Sequence, residues 1–170
     1  MTQRYTIAHR GLKEGTHEFE WKIGDDFWEG RGESGVKGGE VDVRAVLERG
    51  PGGANAAMRL AVEMKGSVTV SCDRCLEDCL LPVRVTERLA VKLAESDEMP
   101  AFEGDVLWLN PADAAIDLEQ YIYESVVLSL PLQRVHPEDV HGRPLCNPAM
   151  LERFTIVSED EFEKLQSLKS

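Results

Sequence analysis

The chain has 170 residues, 42% of them hydrophobic and 29% charged, which suits one folded domain with a core and excludes a disordered chain. Nineteen Lys and Arg stand against 31 Asp and Glu, a formal net charge of −12, so the global field repels nucleic acid and any RNA contact must be local. No run approaches the apolar length of a membrane span, and Met1-Thr2-Gln3-Arg4-Tyr5 lacks the apolar core of a signal peptide, so a cytoplasmic location is expected. In a reducing compartment four cysteines read as metal ligands, catalytic thiols or buried small hydrophobes rather than as disulfides.

Tyr5 and Ile7 predict a short first strand. Phe19, Trp21 and Ile23 alternate with Glu18, Glu20 and Lys22 and predict a second, which Gly24-Asp25-Asp26 turns. Residues 30–39 hold five glycines, but they do not follow a strand into a helix and no Lys-Ser/Thr closes them. They read as a flexible hairpin connection and not as a phosphate-binding loop. Val41, Val43, Ala45 and Leu47 alternate with Asp42, Arg44, Val46 and Glu48 and predict a third strand, broken by Gly50-Pro51-Gly52-Gly53.

The strongest pattern runs from Leu60 to Leu93. Leu60, Val62, Met64, Val68, Val70 and Cys72 take even positions, and Leu81, Val83, Val85, Leu89, Val91 and Leu93 take odd ones. Two such arms share an apolar face only if opposed numbers sum to an odd value, and pairing Cys72 with Leu81 satisfies this. In that register Gly66 and Glu87, where each arm breaks its pattern, face each other and predict a bend or bulge. The turn between the arms, Cys72-Asp73-Arg74-Cys75-Leu76-Glu77-Asp78-Cys79, carries three of the four cysteines.

Residues 95–105 are acidic and read as an exposed loop, and Val106 to Leu109 form a short apolar run. Asn110-Pro111-Ala112-Asp113 reads as a turn or a single helical turn. Asp117 precedes Leu118, Ile122, Ser125, Val126 and Ser129 at helical spacing, with Gln120 placed as in a capping box, and Pro131 ends the helix. Asn147-Pro148 opens a short helix through Phe154, and Ser158 with Glu161 caps a last one towards Ser167. The fold class expected is α+β, a mostly antiparallel sheet with a long cysteine-tipped hairpin and C-terminal helices. Residues 1–157 form one domain and 158–170 a helical tail.

A turn with C-x-x-C presents two thiolates to one point, and tetrahedral zinc takes four soft or borderline ligands. Cys72, Cys75, Cys79 and Cys146 are the candidate set, with His136 and His141 as substitutes. The plainer alternative makes Cys72 a core residue of the apolar stripe. Arg84, Arg88 and Lys92 on the polar face, with Arg74 in the turn, form the one concentrated basic surface, for RNA or a partner; a solvated sheet face is the ordinary alternative. A thioredoxin-like role needs the cysteine pair to open a helix in a βαβ unit, whereas here it sits on a hairpin turn. His9 and His17 have no evident partner, and Asp117 and Glu124 read as a helix cap and a helix-surface residue. No active site emerges, so a non-enzymatic protein is expected.

Cys72-Asp73-Arg74-Cys75-Leu76, followed by Ile116-Asp117-Leu118, Tyr121-Ile122, Glu124, Leu128-Ser129-Leu130-Pro131 and a later lone Cys146, resembles the YceD-like proteins, the large ribosomal RNA subunit accumulation family. Asp117, Glu124 and Pro131 mark the second half of that pattern. The chain departs from it in the extra Cys79 and in the ten residues 134–143 that part the Leu-Pro motif from Cys146. The resemblance implies a small cytosolic factor needed for accumulation or processing of large-subunit (23S) rRNA. Its implied partner is the large ribosomal subunit precursor, through rRNA or a basic ribosomal protein, with no membrane and no small-molecule substrate. The alternative from another class is a small zinc-dependent or thiol-redox protein acting through Cys72 and Cys75.

Overall fold

The computed structural model describes residues 4–31, 34–53, 56–94 and 102–152. The boundary expected at residue 157 and the helix expected from Ser158 lie outside them. Four long strands build the body: β2 (Gly15–Ile23), β3 (Val36–Arg49), β4 (Met58–Ser71) and β5 (Asp78–Leu93). Counting β1 (Thr6–Ala8) before them and β6 (Phe102–Glu103), β7 (Val106–Leu109) and β8 (Ala115–Asp117) after, two sheets form, a six-stranded one in the order β2-β3-β4-β5-β7-β6 and the pair β1-β8. All its neighbours are antiparallel except β5 and β7, which run parallel. The helices are α1 (Asp25–Trp28), α2 (Glu119–Ser129) and α3 (Pro148–Leu151). Strand dominates, an architecture compatible with the α+β class. No helix among the described residues is long and apolar enough to cross a membrane.

Alternation decides which way each strand faces. Leu47, Leu60 and Leu89 line up across three strands, as do Val43, Met64 and Val85, and all six are buried. Apolar residues at every second position thus form one continuous face, which water leaves most favourably when something covers it. The cover comes from β1, β8 and α2, whose Ile7, Ile116, Leu118, Ile122 and Val126 belong to the same core. Val68, Val70, Val83 and Val85 share that buried side, while Arg84 and Arg88 stay exposed.

The register differs from the expected one. Val70 faces Cys79 and Ser71 faces Asp78, so Leu81 lies opposite Val68 rather than Cys72. The connection is shorter than the eight-residue turn that the cysteines outline: it spans residues 72–77, closed by Cys72 N–H to Glu77 O at 2.8 Å and Leu76 N–H to Cys72 O at 2.9 Å. Opposed numbers still sum to an odd value, so no face flips. Gly66 therefore faces Val83 and Glu87 faces Val62, and the two pattern breaks have separate causes.

At Gly66 the cause is backbone crowding. A Cβ there would sit 2.0 Å from Glu40 O and 2.7 Å from Val41 Cα on β3. On the other strand Gly39 takes φ 148°, a conformation costly for other residues, and its Cβ would fall 2.5 Å from Ser67 O. The register slips between Val36 and Gly38, so β3 begins inside the glycine-rich segment instead of after it. Asp25 of α1 accepts from Gly39 N–H at 2.9 Å, which ties α1 to this strand. At Glu87 the carboxylate accepts a hydrogen bond from the Tyr121 hydroxyl of α2, giving the one acidic interruption of the apolar face a buried partner.

Helix starts are set by neighbouring strands. Asp117 pairs with Thr6 as the last residue of β8, leaving Leu118 at the N-cap position. The Asp117 carboxylate accepts from Glu119 N–H at 2.9 Å, whereas Gln120 donates to Glu124 at 2.6 Å. The expected capping box is not made, because strand pairing holds Asp117 one residue too early for it. Asn147 does cap α3, its side chain accepting from Ala149 N–H at 3.0 Å with Pro148 next. Part of the expected acidic loop, Phe102–Glu103, is strand β6, and the Phe102 ring stacks on Tyr121 at 4.8 Å.

The crowding at Gly66 predicts that Gly66→Ala lowers stability by about 2–3 kcal/mol, since backbone atoms must move to admit a methyl group. Gly11→Ala, with open space around it, should change stability by less than about 0.5 kcal/mol. Urea midpoints of the two variants at equal slope check both outcomes.

Candidate metal centre

The turn 72–77 arranges its own two sulfurs. Its closing hydrogen bonds fold the chain back within six residues, and Leu76 takes φ 63° to do so. Arg74 N–H donates to Cys72 Sγ at 3.4 Å. Beyond Pro131 the chain returns along this turn. Asp73 N–H donates to Arg134 O, and Arg134 N–H to the Asp73 carboxylate, each at 2.7 Å. Asn147 donates to the Glu77 carboxylate at 2.6 Å. These contacts bring His136 and Cys146 to the C-x-x-C pair.

Cys72 Sγ lies 3.8 Å from Cys146 Sγ, and Cys75 Sγ lies 3.5 Å from His136 Nδ1. The donor atoms of Cys72, Cys75, His136 and Cys146 all fall within 4.8 Å of one another, and the three cysteines are buried. His136 Nε2 is 3.1 Å from Asp78 O. A carbonyl can only accept, so Nε2 carries the proton and the Nδ1 lone pair faces the sulfurs, the orientation that a metal-ligating imidazole needs.

The thiols are set apart electrostatically. Burial raises the Cys72 pKa, but the N–H groups of Cys75 and Arg74, together with His136, outweigh it and bring it down to about 6. Cys146 is pushed up to about 11, first by burial and then by its hydrogen bonds to Cys72 and Cys75 and by their negative charge. Three thiolates so close together need a shared cation, and the four groups can hold one metal ion with release of thiol protons.

Of the expected ligands, Cys72, Cys75 and Cys146 come together and Cys79 does not join them. Cys79 is a β5 residue opposite Val70, buried in the core, and burial raises its pKa. His136 takes the fourth place. Its signal in the sequence was weak, a histidine on a segment without helix or strand periodicity. His141 is exposed in a turn in which its N–H meets Asp139. His9 and His17, expected without partners, bond backbone carbonyls of Asp113 at 3.2 Å and Lys13 at 2.8 Å.

The basic residues do not converge. Arg84, Arg88 and Lys92 are exposed along the polar face of β5, about 26 Å from first to last at 3.3 Å per residue. Arg74 stands in the turn beyond the other end of the strand, and Lys92 lies over the Trp108 ring at 5.6 Å. Arg59 of β4, not singled out in the sequence, lines with Arg88 a shallow cavity of about 670 Å³ that also holds Glu48 and Asp105. Asp117, Glu124 and Pro131 serve the start, surface and end of α2 and lie outside the four-donor group.

The family model described as Large ribosomal RNA subunit accumulation protein YceD matches residues 60–169. No curated protein and no solved structure matches the chain.

Elemental analysis of the purified full-length chain should find about one metal ion per chain. Cys75→Ser, His136→Ala and Cys146→Ser should each lose it and lower the melting temperature, whereas Cys79→Ser should keep it. Loss in Cys79→Ser with retention in His136→Ala would restore the four-cysteine set.

Proposed function

Because this chain belongs to the YceD family of large ribosomal RNA subunit accumulation proteins, we propose that it is a cytoplasmic, non-enzymatic ribosome-biogenesis factor supporting accumulation or processing of large-subunit (23S) rRNA. The observation that carries this reading is the position of the match: residues 60–169 include all four donors, Cys72, Cys75, His136 and Cys146. The metal we propose is zinc. Tetrahedral bonds of about 2.3 Å to sulfur and about 2.0 Å to nitrogen separate two sulfurs by about 3.8 Å and a sulfur from a nitrogen by about 3.5 Å. Two pairs of the cluster, Cys72 with Cys146 and Cys75 with His136, stand at 3.8 Å and 3.5 Å, and all four donors lie within 4.8 Å of one another.

Bound there, zinc would add a cross-link between two chain segments that hydrogen bonds already hold together. Three thiolates and an imidazole fill a tetrahedral shell and leave no position for a substrate, which supports a structural role. The second reading, a thiol-redox protein acting through Cys72 and Cys75, draws on the lowered Cys72 pKa of about 6. Against it, both sulfurs belong to fully buried residues, where a substrate disulfide has no approach. With a net charge of −12 the direct partner in the large-subunit precursor is a basic protein, and any rRNA contact is confined to Arg74, Arg84, Arg88 and Lys92.

The test is made in cells depleted of the chain. The ratio of large-subunit to small-subunit rRNA should fall, and should return with the wild-type chain but not with Cys75→Ser. An unchanged ratio would sink the assembly reading, and rapid alkylation of Cys72 in the zinc-loaded protein would favour the redox one.

A further inference from the structure

Exposed apolar side chains are concentrated on the chain segments that carry the donors. Among the described residues seven large apolar side chains are exposed, and five of them, Leu76, Leu80, Leu132, Val140 and Leu145, lie on the two segments that the donors join. Leu76 follows Cys75 and Leu145 precedes Cys146, whose sulfurs lie within 4.8 Å of each other. The two leucines therefore flank the same cluster from opposite segments.

Leu76 is the informative one. Its φ of 63° is the only positive value at a non-glycine position among the described residues. Glycine or asparagine enters that region at little cost, and leucine does not. The fold gives it little burial in return, since it is 60% exposed. A residue that is locally unfavourable and unburied is explained by a contact made outside the chain. The hydrogen-bonded turn, tied to residues 134–147, holds it in one direction, so little entropy is lost on docking.

We propose that this tip is the docking surface for a basic protein of the large-subunit precursor, with Leu76 as the apolar anchor and Leu145 beside it. Charge chooses the occupant. Residues 72–80 carry Asp73, Glu77 and Asp78 against Arg74, and even with Asp78 paired to Lys37 the turn stays acidic on a chain of net charge −12, so a phosphate backbone is repelled and a basic protein surface attracted. A leucine anchor fits an apolar pocket in such a surface. The proposal rests on the assembly reading above.

Full-length wild-type, Leu76→Asn, Leu76→Asp and Leu128→Asp chains are compared for zinc content, melting temperature and co-sedimentation with large-subunit precursors. A photo-crosslinking residue is placed at position 76 in parallel. Leu76→Asn suits the turn's backbone, so it should keep zinc and melt at the same temperature or higher, yet co-sediment at least about tenfold less, the loss of one anchor contact. Leu76→Asp should behave alike, Leu128→Asp should co-sediment as wild type, and the crosslink should reach a basic large-subunit protein. Undiminished co-sedimentation of both Leu76 variants, equal loss in Leu128→Asp, loss of zinc in Leu76→Asn, or a crosslink to rRNA or to nothing overturns the docking proposal. Failure of the wild-type chain itself to co-sediment removes the assembly reading, and the docking site with it.

Discussion

Strands β4 and β5 present one apolar face only because opposed residues share a side, and the rest of the molecule is arranged around that condition. It sets the direction of β3 through Val43 opposite Met64 and Leu47 opposite Leu60, and it creates the surface that β1, β8 and α2 cover. Where the face is interrupted by Glu87, α2 brings a tyrosine hydroxyl to the carboxylate, so the helix is positioned by a hydrogen bond as well as by burial. The same pairing fixes where the turn falls, and hence where Cys72 and Cys75 point.

Beyond that turn the structure is held differently. Residues 131–147 contribute one isolated bridge, Glu138 with Pro144, and a set of hydrogen bonds to residues 34 and 72–78. Few apolar side chains of this segment are buried, Cys146 being one, so burial alone gives it little reason to stay in place. A metal held by His136, Cys146 and the turn would supply the tie that burial does not. Ligand binding of this kind is folding free energy for the segment it orders, so such an ion would be linked to the shape of the exposed tip.

The electrostatics of the chain fit the proposed assembly role only through a selective surface. An acidic protein approaching an RNA-rich particle is steered away from phosphate and towards basic protein. Its arginines and Lys92 on β5 are strung along a strand, Arg84 within reach of Glu63 and Arg88 beside Asp105, so no basic focus builds up. The exposed Leu76 and Leu145 beside the four donors would give that approach an end point that charge alone does not provide.

What could be read in the residues follows from short-range physics. Period-2 alternation fixes which side chains share a face, whatever the register, so the buried set of β3, β4 and β5 was legible before any pairing was known, except Leu93, which is exposed at the end of β5 where the apolar face runs out. Asn147-Pro148 and Pro131 mark helix ends by their own backbone preferences. The register was not legible, because it depends on how tightly residues 72–77 turn, and parity permits any even slip. Gly66 showed as a break in a pattern, but its reason, a backbone oxygen of β3 where a Cβ would go, belongs to another strand. The four donors divide the same way. C-x-x-C can be recognised locally because a turn brings its two sulfurs together, whereas the choice of His136 over Cys79 was decided by tertiary structure: strand pairing turns Cys79 into the core, and the return of the chain along Asp73 and Asp78 carries His136 to the sulfurs.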